Sequence, residues 1–278
     1  MAYGTKNFDN FIPELWSARL LQNLDKTFVY PQCANKDYEG EIRNFGDTVH
    51  IQKFGDIEVK DYTKAGGVGD PKDPGEGSTV ALAIDQAKYF NFKVEDIEAV
   101  QANVNLMEKA MQRAAYAIGD VIDKYIASFV KDAGINGGEV AVTKENAYDT
   151  LVDLKVKFNK ENVPAMGRFV VVPPEFLGML EKDDRYTKYD AADVKANGVR
   201  GRVAGFDVRE SNNVPFTSEG SKYTVMAGTD MAIAYAGQIA KMEAFRPEAS
   251  FSDACKGLYV YGAKVVEPKA LAKLVCTF

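Results

Sequence analysis

Residues 48–94, TVHIQKFGDIEVKDYTKAGGVGDPKDPGEGSTVALAIDQAKYFNFKV, decide how the chain reads: two β-patterned runs flank a polar loop. In the incoming run Val49 and Ile51 share a parity, joined later by Ile57 and Val59. In the outgoing run Val80, Leu82, Ile84, Phe90, Phe92 and Val94 keep one parity, the period of a half-buried strand. The loop between them, Asp61 to Ser78, holds five Gly and two Pro among alternating Asp and Lys. Such a composition cannot build a core of its own. Loops beyond about a dozen residues in a compact domain are usually functional or disordered. A hairpin with roughly a dozen residues per side would extend on the order of 40 Å. The expectation is an arm that projects from the body and finds no cover within its own chain. A neighbouring subunit would supply it, since an isolated two-stranded ribbon is marginal in water.

Composition narrows the classes. A chain of 278 residues with 46% hydrophobic content can bury a sizeable core. The net charge of −6, with no run of Lys or Arg, argues against sequence-independent nucleic-acid binding as the main task. Cys33, Cys255 and Cys276 are odd in number and lack CxxC spacing, which fits thiols kept reduced and packed as small hydrophobes. No stretch reaches the roughly 18 apolar residues of a membrane span, and the N-terminus lacks a basic region followed by an apolar one. A soluble protein made in a cytosol, with no membrane partner, is expected.

Outward from the arm, FIPELWSARLLQNLDKTF carries Phe11, Ile12, Leu15, Leu20 and Leu24 near helical spacing, with Trp16, the only tryptophan, among them. A terminal amphipathic segment must dock on its own body or on another subunit. After the arm, Glu95 to about Ala133 reads as one long helix. Its apolar row is Ile97, Val100, Val104, Met107, Met111, Ala114, Ile118, Val121, Tyr125 and Phe129. Acidic Glu95, Asp96 and Glu98 open it and Lys131 lies near its end, as the helix dipole favours. It would run on the order of 55 Å, lying across a sheet. Beyond Thr143 short elements alternate: a helix ending near Asn162, a buried strand GRFVVVPP, a helix from Pro174, and strand and turn in GRVAGFDVRESNNVP. KYTVMAG reads as a strand, TDMAIAYAGQIAKMEAF as strand or helix, and GLYVYGAKVVEPKALAKLVCTF as a strand interrupted at Pro268. Mixed rather than strictly alternating elements indicate an α+β fold.

Chemistry-bearing patterns are scarce. His50, the only histidine, falls on the strand face opposite Val49 and Ile51 and reads as a surface residue. No GxSxG elbow accompanies it, and one histidine cannot build a His-rich metal site. GGVGDPKDPGEG lacks the P-loop pattern, and Asp70, Asp73 and Glu76 do not follow EF-hand spacing. Asp183, Asp184 and Asp190 read as a wet, charged face. No catalytic, cofactor-binding or metal-binding residues are therefore assigned, and no cofactor is expected. The rival from another class is a cytosolic α+β enzyme working with carboxylates only.

The outgoing run, the long helix, NVPAMGRFVVVPPEFLGML, GRVAGFDVRESNNVP and GLYVYGAKVVEPKALAKL occur in this order over nearly the whole chain. Together they resemble a tailed-bacteriophage major capsid protein of the HK97-like fold, closest to the P22-coat-like branch. The resemblance implies an N-terminal arm over 1–45, an extended E-loop over 46–94, and a P-domain spine helix with its following turn over 95–142. It further implies a compact A-domain over 143–235 and a return to the P-domain sheet over 236–278. The implied role is a non-enzymatic coat protein that self-assembles through pentamers and hexamers into an icosahedral shell. The shell would enclose double-stranded DNA without tight binding, be assembled in the host bacterial cytoplasm and end in the virion. In some relatives a long helical scaffolding segment comes first. Here arm-like sequence is reached within ten residues of Met1, so a separate scaffolding protein is expected, along with a portal. An encapsulin-type compartment enclosing enzyme cargo is the alternative within the fold. The residues expected between subunits are Trp16 on the terminal arm and Lys60, Tyr62, Lys64, Gly66, Gly67 and Lys72 on the hairpin. Gly66 and Gly67 fall at its tip, where left-handed backbone is expected. Lys60, Lys64 and Lys72 are the lysines that a family-type cross-link to an Asn of a neighbour would draw on.

Overall fold

The computed structural model of the chain describes residues 29–38, 45–52, 59, 79–95, 106–183, 201–219, 221–248 and 252–278, with the backbone alone at 94, 95 and 106–108. Within these the fold is α+β. Strands β1 (Thr48–Gln52) and β2 (Thr79–Ala83) pair as a hairpin root, and β3 (Gln86–Glu95) follows. Helix α1 (Leu106–Ala127) runs on through a 3-10 turn, Ser128–Asp132. Then come β4 (Ile135–Ala141), α2 (Ala147–Lys160), β5 (Arg168–Val172), α3 (Pro174–Glu181), β6 (Arg202–Val203) and β7 (Phe206–Glu210). The chain closes with β8 (Phe216–Thr217), β9 (Lys222–Thr229), β10 (Ile233–Phe245), β11 (Ser252–Val265) and β12 (Leu271–Thr277).

The larger sheet has the order β4-β12-β9-β5-β7-β6, with β8 on β9, and mixes parallel β4/β12 and β5/β7 pairs with antiparallel ones. All five residues of β5 are buried, which explains its continuous apolar run. Pro173 and Pro174 end that strand and open α3, where a missing N–H costs nothing. β6 and β7 turn through Ala204 and Gly205, at φ 50° and 89°, as the twist of a two-residue hairpin requires. The smaller sheet is β10-β11-β3. One core runs through both sheets and α1, with Tyr125 of α1 edge-on to Tyr261 of β11 at 5.3 Å. A second, smaller cluster lies on the other face of the small sheet, where Val49, Ile51, Leu82 and Ile84 pack on Ala234, Ala236 and Val260.

That second cluster corrects the expectation of an arm with no cover in its own chain: the hairpin root is buried by the small sheet. Gly262 permits the approach, because a Cβ there would collide with the Ala83 carbonyl and press on Ile84. The outgoing run keeps its parity but not its sheet. β2 pairs with β1 from Thr48↔Ala83 to Gln52↔Thr79, whereas β3 pairs with β11. The two-residue break is fixed by Gly46 N–H to Ile84 O (3.0 Å), Ile84 N–H to Asp47 O (2.9 Å) and the Tyr125 hydroxyl donating to Asp85 (3.2 Å).

Four further readings change. Glu95 ends a strand rather than opening the helix; Asp96, Glu98, Ile97, Val100 and Val104 lie outside the described residues. The buried stripe of α1 is Met111, Ala115, Ile118, Ile122 and Ile126: Met111 and Ile118 stand as expected, whereas Ala115, Ile122 and Ile126 take the places of Ala114, Val121 and Tyr125, and Val121 is 39% exposed. The chain does not return to one sheet after 236, since β12 enters the large sheet between β4 and β9. Asp183 is buried rather than wet, while Asp184 and Asp190 lie outside the described residues. One strand was not read at all: β4, INGGEVA, whose two glycines resemble a turn. His50 is exposed between buried Val49 and Ile51, as its parity implies, and the stretch 233–245 is a strand.

Candidate assembly interface

The hairpin tip and terminal arm named from sequence, Trp16, Lys60, Tyr62, Lys64, Gly66, Gly67 and Lys72, lie outside the described residues. The root that aims the hairpin does not, and other outward-facing apolar groups were missed by sequence reading.

The first group sits at the far end of the large sheet. β9 leads from Thr229 into β10, and β11 leads into Leu271 of β12, so those strand ends adjoin the small sheet. The opposite end carries aromatic rings in sequence of contact: Phe216 to Tyr223 at 4.8 Å, Tyr223 to Phe278 at 5.6 Å and Phe278 to Phe176 at 6.4 Å. Phe216 and Phe278 are exposed, and the Tyr223 hydroxyl donates to Glu175 at 3.0 Å. Aromatic rings in contact with water on one side and with one another on the other are typical anchors of protein interfaces.

At the near end two loops carry exposed methionines. β5 and β9 pair through Arg168↔Thr229, and continuing that register sets Met166 opposite Met231. Met166 is 84% exposed. Its loop is held from beneath by buried Arg168, whose Nε donates to Pro164 O (2.8 Å) and Nη2 to Val163 O (2.5 Å), with the guanidinium over the Phe158 ring. The third group is Tyr89 on β3, 78% exposed, opposite in parity to Phe90 and Phe92. That parity was the signal available for it; nothing in the sequence flagged Met166 or Phe216.

No arrangement suited to catalysis emerges from these residues. All three cysteines are buried and unpaired, and burial pushes the Cys33 and Cys276 thiols up to about 12 and Cys255 to about 11, so they are not nucleophiles at neutral pH. Among the described residues no group of three His, Cys, Asp or Glu could hold a metal ion, and no helix is long and apolar enough to cross a membrane. What the surface presents is separate apolar patches on fixed elements, a property of chains that cover one another.

The sequence profile described as Phage capsid protein matches residues 78–274. Among solved structures, one from Mycobacterium phage Che8 is 32% identical, covering 89% of this chain and 90% of that one at TM-score 0.69. The capsid of cyanophage P-SCSP1u is 13% identical, covering 85% of each chain at TM-score 0.65. The mature capsid of bacteriophage PhiM1 is 12% identical, covering 87% of each at TM-score 0.61. These last two likenesses speak to the fold alone. No curated protein matches the chain. The match of the family profile does not favour the encapsulin alternative, and it makes the role structural rather than enzymatic. The chain belongs to the phage capsid protein family, as a major coat protein of a tailed phage with the HK97-like fold.

Proposed function

We propose that this coat protein closes into an icosahedral shell of pentamers and hexamers around double-stranded DNA, with a separate scaffolding protein and a portal, in the host bacterial cytoplasm. The observation that carries the reading is the set of apolar patches at the two ends of the large sheet and on the edge of the small one, since separate interfaces allow a subunit to propagate contacts in more than one direction. Obligate interfaces of this kind commonly bury about 2,000 Å² or more, and the hairpin beyond Gln52 would add to that area. The segmentation into an arm before Asn35, an E-loop rooted at β1–β2, a P-domain of α1 with the small sheet and an A-domain on the large sheet belongs to this proposal. So do Trp16, Lys60, Tyr62, Lys64, Gly66, Gly67 and Lys72 as intersubunit residues, and the placement in the P22-coat-like branch. The acidic balance, −6 over the chain, favours a container along which packed DNA slides.

Electron microscopy of the purified protein, alone and with its phage's scaffolding protein, is the direct test. Closed shells are expected. A chain that stays monomeric at high concentration in both conditions would overturn the proposal.

A further inference from the structure

Three segments far apart in sequence meet at one buried carboxylate. Asp123 lies on α1 and is 3% exposed. Its Oδ1 accepts the backbone N–H groups of Val29 (3.3 Å) and Tyr30 (3.2 Å), and Oδ2 lies 3.4 Å from the Val29 nitrogen. The side chain of Asn213, in the turn between β7 and β8, is its third partner. The segment that follows Tyr30 is fastened again at once. Arg209 of β7 donates to the Gln32 side chain at 2.9 Å, Asn35 N–H donates to Ile233 O at 2.8 Å, and Tyr235 N–H donates to Asn35 O at 2.9 Å. Residues 29–35 are thereby tied to the helix, the large sheet and the small sheet, with Asp123 the first tie.

A carboxylate is an expensive way to fill a buried site. Removing it from water carries a desolvation penalty, where an apolar side chain of that size would gain from burial, unless hydrogen bonds replace the lost hydration. What it provides is two oxygens that accept several N–H groups from different segments at fixed angles, which no apolar residue can do. We propose that Asp123 is a positioning residue for assembly: it fixes the direction of the backbone at Val29 and Tyr30, and holds residues 29–35, α1 and the large sheet in one orientation. The proposal rests on the reading of the protein as a shell subunit.

Burial is the main reason that the Asp123 carboxyl is raised to about 6, against the pull of the Tyr30, Val29 and Asn213 hydrogen bonds. The groups facing this junction are Asp120 on the same helix, Tyr30 and Cys33 on the segment 29–35, and Arg209 and Asp207 of β7 beside Cys33. With the folded value above the unfolded one, the folded state binds the proton more tightly. This group's contribution to stability is therefore greatest below about pH 4, falls as pH rises through its folded value near 6, and is flat above it.

Asp123→Asn keeps the size, removes the charge and turns an amide N–H toward backbone donors. In free full-length subunits, amide exchange by NMR should be about tenfold faster at Val29 and Tyr30 in this variant, with β5 and β9 unchanged. The pH dependence of unfolding between 4 and 6 should flatten. In the assembly reaction, shells should be fewer and broader in diameter than wild type. Unchanged exchange at Val29 and Tyr30 would overturn the proposal, and so would shells of wild-type yield and diameter. Asn213→Ala, which removes one donor, should show the same changes at a few-fold level and carries the comparison if Asp123→Asn fails to fold. If the wild type itself forms no shells, the shell reading falls, and the exchange measurement still decides whether Asp123 holds Val29 and Tyr30.

Discussion

At the long outer edge of the large sheet, β4 is broken by a bulge. Its register to β12 shifts between Lys273 and Val275, Gly138 sits at φ 91°, and Lys157 Nζ binds the carbonyls of Asn136 and Gly137. At the edge of the small sheet, β3 keeps unbroken register with β11 from Glu95 to Gln86, and among the described residues no strand pairs with its other side. The contrast teaches where another chain is tolerated. An edge that is kinked and charged resists pairing with another strand, whereas a regular edge such as β3, with Tyr89 exposed on it, is a template for one. The faces differ as well. The small sheet is covered on one side by α1 and on the other by the hairpin root, so its stability depends on two covers that the chain must bring from elsewhere.

Stripping the helical cover should produce the largest effect. Ile122→Ala removes a fully buried side chain and is expected to cost about 2 to 5 kcal/mol in urea unfolding, while Val121→Ala, one residue away and outward, should stay within about 0.5 kcal/mol. Equal losses would mean that the stripe is misplaced. Next comes the opposite cover. Gly262→Val forces β2 off β11 and should destabilise by about 1 to 3 kcal/mol, with faster amide exchange at Val49 and Leu82; unchanged exchange there would mean the root is not clasped. Lys157→Ala should cost about 1 kcal/mol from the two freed carbonyls and raise concentration-dependent association through β4, read by sedimentation. Smallest in stability is Tyr89→Ala, within about 0.5 kcal/mol, yet shell yield should drop; full yield would remove the small-sheet edge from the interface.

Much of this was legible where one local rule decided the outcome. The parity of 80–92, the buried run at β5 and the proline break before α3 all survived folding because burial, period and backbone restriction agreed. In the helix stripe Met111 and Ile118 were legible, but Ala114, Val121 and Tyr125 make as good an apolar row as Ala115, Ile122 and Ile126, and only packing chooses between them. β4 was illegible because its glycines serve a bulge. The cover of the hairpin root was illegible because it depends on small residues, Ala234 and Ala236, some 150 positions along the chain. As for the interface, the residues proposed from sequence lie outside the described ones, whereas Tyr89, Met166 and Phe216 became visible only when their exposure could be compared with their neighbours'.

The strand order also has a consequence for synthesis. β12 lies between β4 and β9, and β11 lies between β10 and β3. Neither sheet can be completed until residues 252–278 have left the ribosome. Until then β3 waits without its partner strand, and contacts of such sequence separation form late and slowly. A chain cut short near residue 250 therefore lacks both the central strand of its small sheet and the strand that joins β4 to the large one. Only chains that include 252–278 complete both sheets, so the topology itself disfavours the entry of shorter products into a growing shell.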